Sequence, residues 1–343
     1  MSEGESLQIS FQILFLHIWS CLKLYLIGVY ALLKELAEKT VVPAFEELST
    51  DGLVAIVTGG ASGIGYQVSR KLALKNVHVF IAGRSKQEAD EAIAKIRAEL
   101  STVRVQFLHL DLASLTSVRS FVENFLHTGL PLHILINNAG VMLVPYSETE
   151  DGLETHFQVN YLSHLYLTSL LLNKMKASGT PDRCAHIINV SSIVHWVADA
   201  TDIKPSHTSI SSYSPHSAYA SSKLAVIMST YILSQLLKAD NSNVTANCLH
   251  PGVVNTNLYD NIHWSVRWVM DIMRHLFFKD AIEAANSVVF LALSPLVESH
   301  TGAYYDNCKV SQSKHCTYSK TCQYNLAKMS CELLGIQSLN QTS

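Results

Sequence analysis

The sequence predicts an α/β fold, a doubly wound parallel sheet in a single domain, preceded by an apolar helix. Three observations predict it. Short β-branched runs alternate with amphipathic stretches from Leu53 onward. Most of those runs lack polar alternation, as strands do when helices cover both faces. The first run ends in a glycine-rich turn that opens a helix. With 343 residues, 48% apolar and 15% charged, the chain is neither disordered, collagenous nor a coiled coil. A net charge of −3 excludes the uniformly basic surface of a non-specific nucleic-acid binder. Seven cysteines, an odd count in a chain too long to need cross-links, read as reduced thiols. Cys308, Cys316, Cys322 and Cys331 lack the paired C-x-x-C spacing of a zinc site.

In chain order, residues 7–33 come first, with Lys23 their only formal charge. The run is long enough to cross a bilayer core, which needs about 20 apolar residues, and it raises the mean hydropathy to +0.18. A cleaved signal peptide is disfavoured, because Glu3 and Glu5 precede the run without Lys or Arg and no small-x-small site follows. Lys23 also suits a helix lying in the membrane interface, with Trp19, Tyr25 and Tyr30 at headgroup depth. A buried core helix is the third reading. Lys34 and Lys39 follow the run, which places the main domain on the cytosolic side. Pro43 through Asp51 reads as a linker. The expected boundaries are 1–50 for the membrane segment and linker, 51–310 for the domain and 311–343 for a C-terminal extension.

Within the domain the predicted strands are 53–58, 77–82, 103–111, 132–137, 184–190, 244–249 and 302–305. A helix follows Gly65 with Val68 and Leu72 on one face. Another runs from Gln87 to Leu100 around Ala89, Ile93 and Ile96. The tail carries a short helix from Tyr324 to Leu334. It is assigned no function.

The first strand ends in Thr58-Gly59-Gly60-Ala61-Ser62-Gly63-Ile64-Gly65. Glycines there permit a tight turn and let backbone N–H groups approach a pyrophosphate at the positive end of the next helix. The G-x-x-x-G-x-G spacing resembles the short-chain dehydrogenase/reductase family, whose fold is a Rossmann sheet. Asn137-Asn138-Ala139-Gly140, Asp111, Ser191-Ser192, Tyr219-x-x-x-Lys223 and Pro251-Gly252-Val253-Val254-Asn255-Thr256 match further family motifs, in the family's order. The resemblance implies a nicotinamide cofactor held by Thr58, Gly59, Ser62, Gly63, Ile64, Gly65, Arg84, Asp111, Asn137, Ala139, Tyr219, Lys223, Pro251, Gly252, Val254 and Thr256. It also implies catalysis by Asn160, Ser192, Tyr219 and Lys223. A free phenol has a pKa near 10, and Lys223, one helical turn after Tyr219, is expected to lower it. Ser192 is expected to bond the substrate oxygen, and Asn160 to hold a water chain to the lysine.

The sequence departs from the compact family pattern between Ser192 and Tyr219, where an insertion rich in Ser, His and Asp runs from His195 to His216. His195, His207 and His216 there read as loop residues. At the end of the second strand Gly83 leaves no acid for a ribose 2′-hydroxyl, while Arg84 can pair with a 2′-phosphate, so NADP(H) is expected over NAD(H). Ile262, Trp264, Trp268, Met270, Met273, Phe277 and Phe278 suit the cover of a large apolar substrate or contact with the bilayer surface, with a packed helix pair as the other reading. Residues 151–162 and 213–219 are similar to the retinol-dehydrogenase-like branch and its members acting on isoprenoid alcohols. That implies polyprenol/polyprenal and dolichal/dolichol interconversion at the endoplasmic reticulum or a lipid droplet. Retinol/retinal is the alternative, and a non-catalytic nucleotide-binding regulator is the alternative of another class. The family also implies a homodimer through the Tyr219 helix.

Overall fold

The computed structural model describes residues 3–38, 43, 49–206, 213–254 and 278–339, with side chains described from Ile18 onward. Strands β1 (Val54–Thr58), β2 (His78–Gly83), β3 (Val105–His109), β4 (Ile134–Asn137), β5 (Ala185–Val190), β6 (Val244–His250), β7 (Tyr304–Asp306) and β8 (Lys309–Ser311) form one sheet. Its order is β3-β2-β1-β4-β5-β6-β7-β8, parallel except for the β7–β8 hairpin. Alternate residues of β1 face opposite layers: Val54 and Ile56 join one core, Ala55 and Val57 the other. This is why the predicted strands read as unbroken apolar runs.

Helices α2 (Gly63–Leu74), α3 (Lys86–Glu99) and α7 (Ala281–Leu293) cover one face. Helices α4 (Leu115–His127), α5 (Ser163–Ser178) and α6 (Pro215–Ala239) cover the other. α6 begins where Ser214 accepts the Ser217 N–H and Pro215 occupies the first turn, where its missing N–H costs nothing. The chain turns from β1 outward to β3, then returns to β4 on the other side of β1. The resulting crevice at the carboxyl ends of β1 and β4 is where such sheets bind ligands.

Two additions lie on the α6 layer. Helix α1 (Glu3–Ala37) buries Leu24, Ala31 and Leu32 against α6 and the short 3₁₀ turn Ile193–Val197. Among the described residues, no helix is long and apolar enough to cross a membrane. The C-terminal α8 (Lys320–Leu334) starts four residues earlier than expected and packs on α6, with the Tyr161 hydroxyl bonded to Ser330 at 2.6 Å. The short β8 was not expected. Its turn, Asn307-Cys308, has both residues at positive φ, the geometry that suits a two-residue hairpin, but lacks the glycine that would have signalled it.

Candidate active site

A cleft of about 510 Å³ opens at the crevice. Its first end is made of backbone. Gly59 takes φ +63° and Gly63 φ +53°, conformations that a side chain resists. Gly65 packs so tightly on the turn that a Cβ there would lie 2.1 Å from the Gly59 carbonyl oxygen and 2.6 Å from Asn138 Nδ2. Ser62 begins α2 without a side-chain capping bond, and the first turn carries no acidic residue. The first-turn N–H groups and the positive end of the helix macrodipole therefore remain for an anion. This cradle fits a dinucleotide pyrophosphate.

Beneath it, Thr58 Oγ1 accepts the N–H groups of Asn138 (2.9 Å) and Ala139 (3.0 Å) and lies 2.9 Å from His164 Nε2. With Thr58 donating to Nε2, His164 Nδ1–H donates to the Asn160 carbonyl at 3.2 Å. Burial holds this imidazole neutral, its pKa pushed down to about 4. Asn160 itself sits in a π-helical segment, Phe157–Leu162, that opens α5. Such bulges often mark functional sites. Its side chain accepts the Val141 N–H (2.7 Å) and donates to the Val141 carbonyl (3.0 Å) and to Ser222 Oγ (2.9 Å). One histidine thus joins the glycine-rich turn, the Asn138-Ala139 segment and the Asn160 bulge. Sequence reasoning missed His164, since a histidine on an apolar helix carries no signal of its own.

The second end is made of side chains. Tyr219 and Lys223 lie one turn apart on α6 and are 4% and 5% exposed. Lys223 Nζ donates to the Val190 carbonyl (3.0 Å) and stands 6.0 Å from the centre of the Tyr219 ring. Asn160 and Lys223 converge over Gly140, where a Cβ would lie 3.0 Å from Asn160 Oδ1 and 3.5 Å from Lys223 Nζ. The expected lowering of the phenol pKa by Lys223 is not what the site does. Burial pushes Tyr219 up to about 12, opposed only by a hydrogen bond with Ser192. Desolvation drives Lys223 down to about 8. At neutral pH the phenol is a proton donor beside a buried amine close to losing its own proton.

Of the expected residues, Gly59, Ser62, Gly63, Ile64, Arg84, Asp111, Ala139, Ser192, Tyr219, Lys223, Pro251, Gly252 and Val254 line the cleft. Thr58, Gly65, Asn137 and Asn160 do not. They lie behind the wall and hold it, Asn137 by donating to Asn189 Oδ1 (2.8 Å) and Thr168 Oγ1 (3.0 Å). Arg84 is exposed at the end of β2, with Gly83 beside it. Asp111 follows β3 by two residues, and its Oδ1 accepts the Ala113 N–H at 2.9 Å. Thr256, His207 and the expected apolar cover as far as Phe277 lie outside the described residues.

Two of the supposed loop histidines belong to regular structure. His195 is fully buried in the 3₁₀ turn after Ser192, its Nδ1 donating to the Ser192 carbonyl (2.7 Å) and its Nε2 accepting the Lys314 N–H (3.3 Å). His216 lies in the first turn of α6. The start of the insertion, His195 to Asp199, therefore docks onto Lys314 of the C-terminal extension beside Ser192.

The short chain dehydrogenase family model matches residues 53–201. The chain is 45% identical to polyprenol dehydrogenase of Homo sapiens, over 82% of this chain and 85% of that one. It is 38% identical to human retinol dehydrogenase 12, over 83% and 87%. In fold it resembles L-sorbose reductase from Gluconobacter frateurii, solved with NADPH and L-sorbose, with TM-score 0.59 and 23% identity over 76% of this chain and 96% of that one. With its cradle, its corner of half-buried Ser192 beside buried Tyr219 and Lys223, and relatives of this identity, the chain belongs to the short-chain dehydrogenase/reductase family and is an NAD(P)-dependent oxidoreductase.

Proposed function

We propose that the enzyme interconverts a long isoprenoid alcohol and its aldehyde, polyprenol/polyprenal together with dolichal/dolichol, and prefers NADP(H) to NAD(H). The observation that carries the substrate is the 45% identity to a polyprenol dehydrogenase across most of both chains. The bound nicotinamide supplies or accepts the hydride. In reduction, Ser192 bonds the carbonyl oxygen and Tyr219 passes it the phenolic proton. Lys223 then faces the phenolate across the ring. In oxidation the same phenolate takes the alcohol proton. Positioned acid–base groups of this kind contribute roughly 10²–10⁴ in rate. Arg84 at the open end of β2 favours a 2′-phosphate.

The outward face of α1 supports a membrane-bound setting, at the endoplasmic reticulum or a lipid droplet with the domain on the cytosolic side. Leu22, Leu26, Val29, Leu33 and Leu36 recur at steps of four and three and are 45–62% exposed, whereas the opposite face is docked. A helix of this kind suits lying in the lipid interface rather than crossing it. The expected homodimer through α6 meets the chain's own α8, which reaches Gln235 through Gln323 (3.1 Å) and Lys320 (2.5 Å). A second copy would need another face.

The test pairs wild type with Tyr219→Phe on polyprenal, retinal and a steroid ketone, each with NADPH or NADH in lipid vesicles. Polyprenal with NADPH is expected to turn over fastest, and only in wild type. Equal turnover by both proteins would dismiss the catalytic assignment, and a clear win for retinal would move the substrate to the other isoprenoid.

A further inference from the structure

The end of α1 reaches the cleft. Two consecutive residues of its last turn grip the carboxyl ends of β6 and β7, which pair through His250 and Asp306. Lys34 Nζ bonds Asp306 Oδ2 at 2.7 Å. Glu35, its side chain 8% exposed, accepts the Val253 N–H at 3.0 Å. It stands 3.8 Å from Lys279 Nζ and 3.9 Å from His250 Nε2. A Cβ on Gly252 would lie 2.9 Å from Glu35 Oε1, so the carboxylate is pressed directly against this turn. From the other side, the Val253 carbonyl accepts the Lys279 N–H at 2.9 Å. Val253 is thereby fixed at both its polar atoms, by Glu35 far away in sequence and by Lys279. Val254, the next residue, lines the cleft.

We infer that Glu35, on the N-terminal helix, is a positioning residue for the Pro251–Val254 wall of the cofactor site, so that the membrane-facing helix also forms part of the active-site frame. This rests on reading Pro251, Gly252 and Val254 as cofactor-binding residues. A helix serving only as an anchor has no need to bury an acid. Burial pushes the Glu35 carboxyl up to about 7, against the pull of Lys279, and its Oε2 has no hydrogen-bond partner among the described residues. A buried polar atom left in that state is costly. The bond to Val253 is what the side chain contributes there. The acceptor is an oxygen, available whether or not the carboxyl is ionised.

The experiment uses the full chain in lipid vesicles and compares Glu35→Gln, which keeps an oxygen acceptor at full reach and drops the charge, with Glu35→Asp, which keeps the charge and withdraws the acceptor by one carbon. NADPH affinity is read by quenching of protein fluorescence, alongside KM and kcat. Glu35→Gln is expected to bind NADPH within about twofold of wild type, and Glu35→Asp to bind about five- to tenfold more weakly, as for the loss of one hydrogen bond. The reverse order, or no change in either variant, overturns the inference. Tyr219→Phe in the same assay separates it from the catalytic reading. That variant is expected to lose turnover while keeping NADPH affinity, so normal turnover there sinks the tyrosine's role without touching Glu35.

Discussion

The two ends of the cleft are built from different materials. At the pyrophosphate end the chain presents backbone: Gly59 and Gly63 at positive φ, Gly65 against the Gly59 carbonyl and an uncapped start to α2. At the proposed catalytic end it presents side chains, with Tyr219 and Lys223 buried and Ser192 bonded to the phenol. The first end should tolerate no added volume, because its partners are backbone that cannot swing aside. The second should tolerate no altered chemistry, even where the volume is unchanged.

The sharpest test of that contrast is Tyr219→Phe, which removes one oxygen and leaves the shape. Turnover is expected to fall roughly 10²–10⁴-fold with NADPH binding retained. A fall below tenfold would remove the phenol from the proton path. Lys223→Met should lose activity on the same scale yet not lower the melting temperature at pH 7, because it deletes a desolvated ammonium. The sign follows from the shift. The amine is pushed down to about 8, so near neutral pH the unfolded chain holds the proton more tightly, and the lysine costs stability. A clear drop in melting temperature would show that the ammonium is better compensated than its surroundings suggest.

At the other end, Gly65→Ala adds one carbon to the cradle. It should abolish measurable NADPH binding and lower the melting temperature by about 1–4 °C, an overpacking cost of about 1–3 kcal/mol in a protein of this size. Unchanged binding would mean that the turn yields and the backbone account is wrong. Arg84→Ala should weaken NADPH by about tenfold and leave NADH unaffected. Equal loss of both would make Arg84 a general rim residue. The smallest effect is on pH. With Tyr219 pushed up to about 12 by burial, the phenol stays protonated through neutrality. Reduction should therefore be flat between about pH 6 and 7, below the Lys223 titration at about 8, while oxidation rises with pH over the same range. Oxidation that falls as pH rises would contradict a buried phenol acting as base.

The glycine turn was legible in the sequence because conformation encoded it: glycine at fixed spacing after an apolar strand has few other uses. Seven of the eight strands were legible, most of them because burial on both faces writes apolar runs, although edge strand β3 leaves Gln106 and His109 exposed. β8 was not, because three residues with Lys309 and Val310 exposed leave no pattern. His164, His195 and Glu35 were not legible either. Each takes its meaning from a partner far along the chain, respectively Thr58, Lys314 and Val253. The sign of the tyrosine shift was misjudged on the same ground. The i, i+4 spacing shows that an amine is near, but only the depth of burial decides whether desolvation or the neighbouring charge prevails.

By itself, then, the order of residues determined the sheet, the glycine turn and which candidate groups could react, because each is written in local spacing, conformational freedom or chemical type. Tertiary structure alone decided which residues face the cleft and which brace it from behind, how far burial moves each proton, and that the first helix and the last both close on the α6 layer. Those outcomes depend on distances across hundreds of residues and on solvent exclusion, and neither is a property of any short stretch of chain.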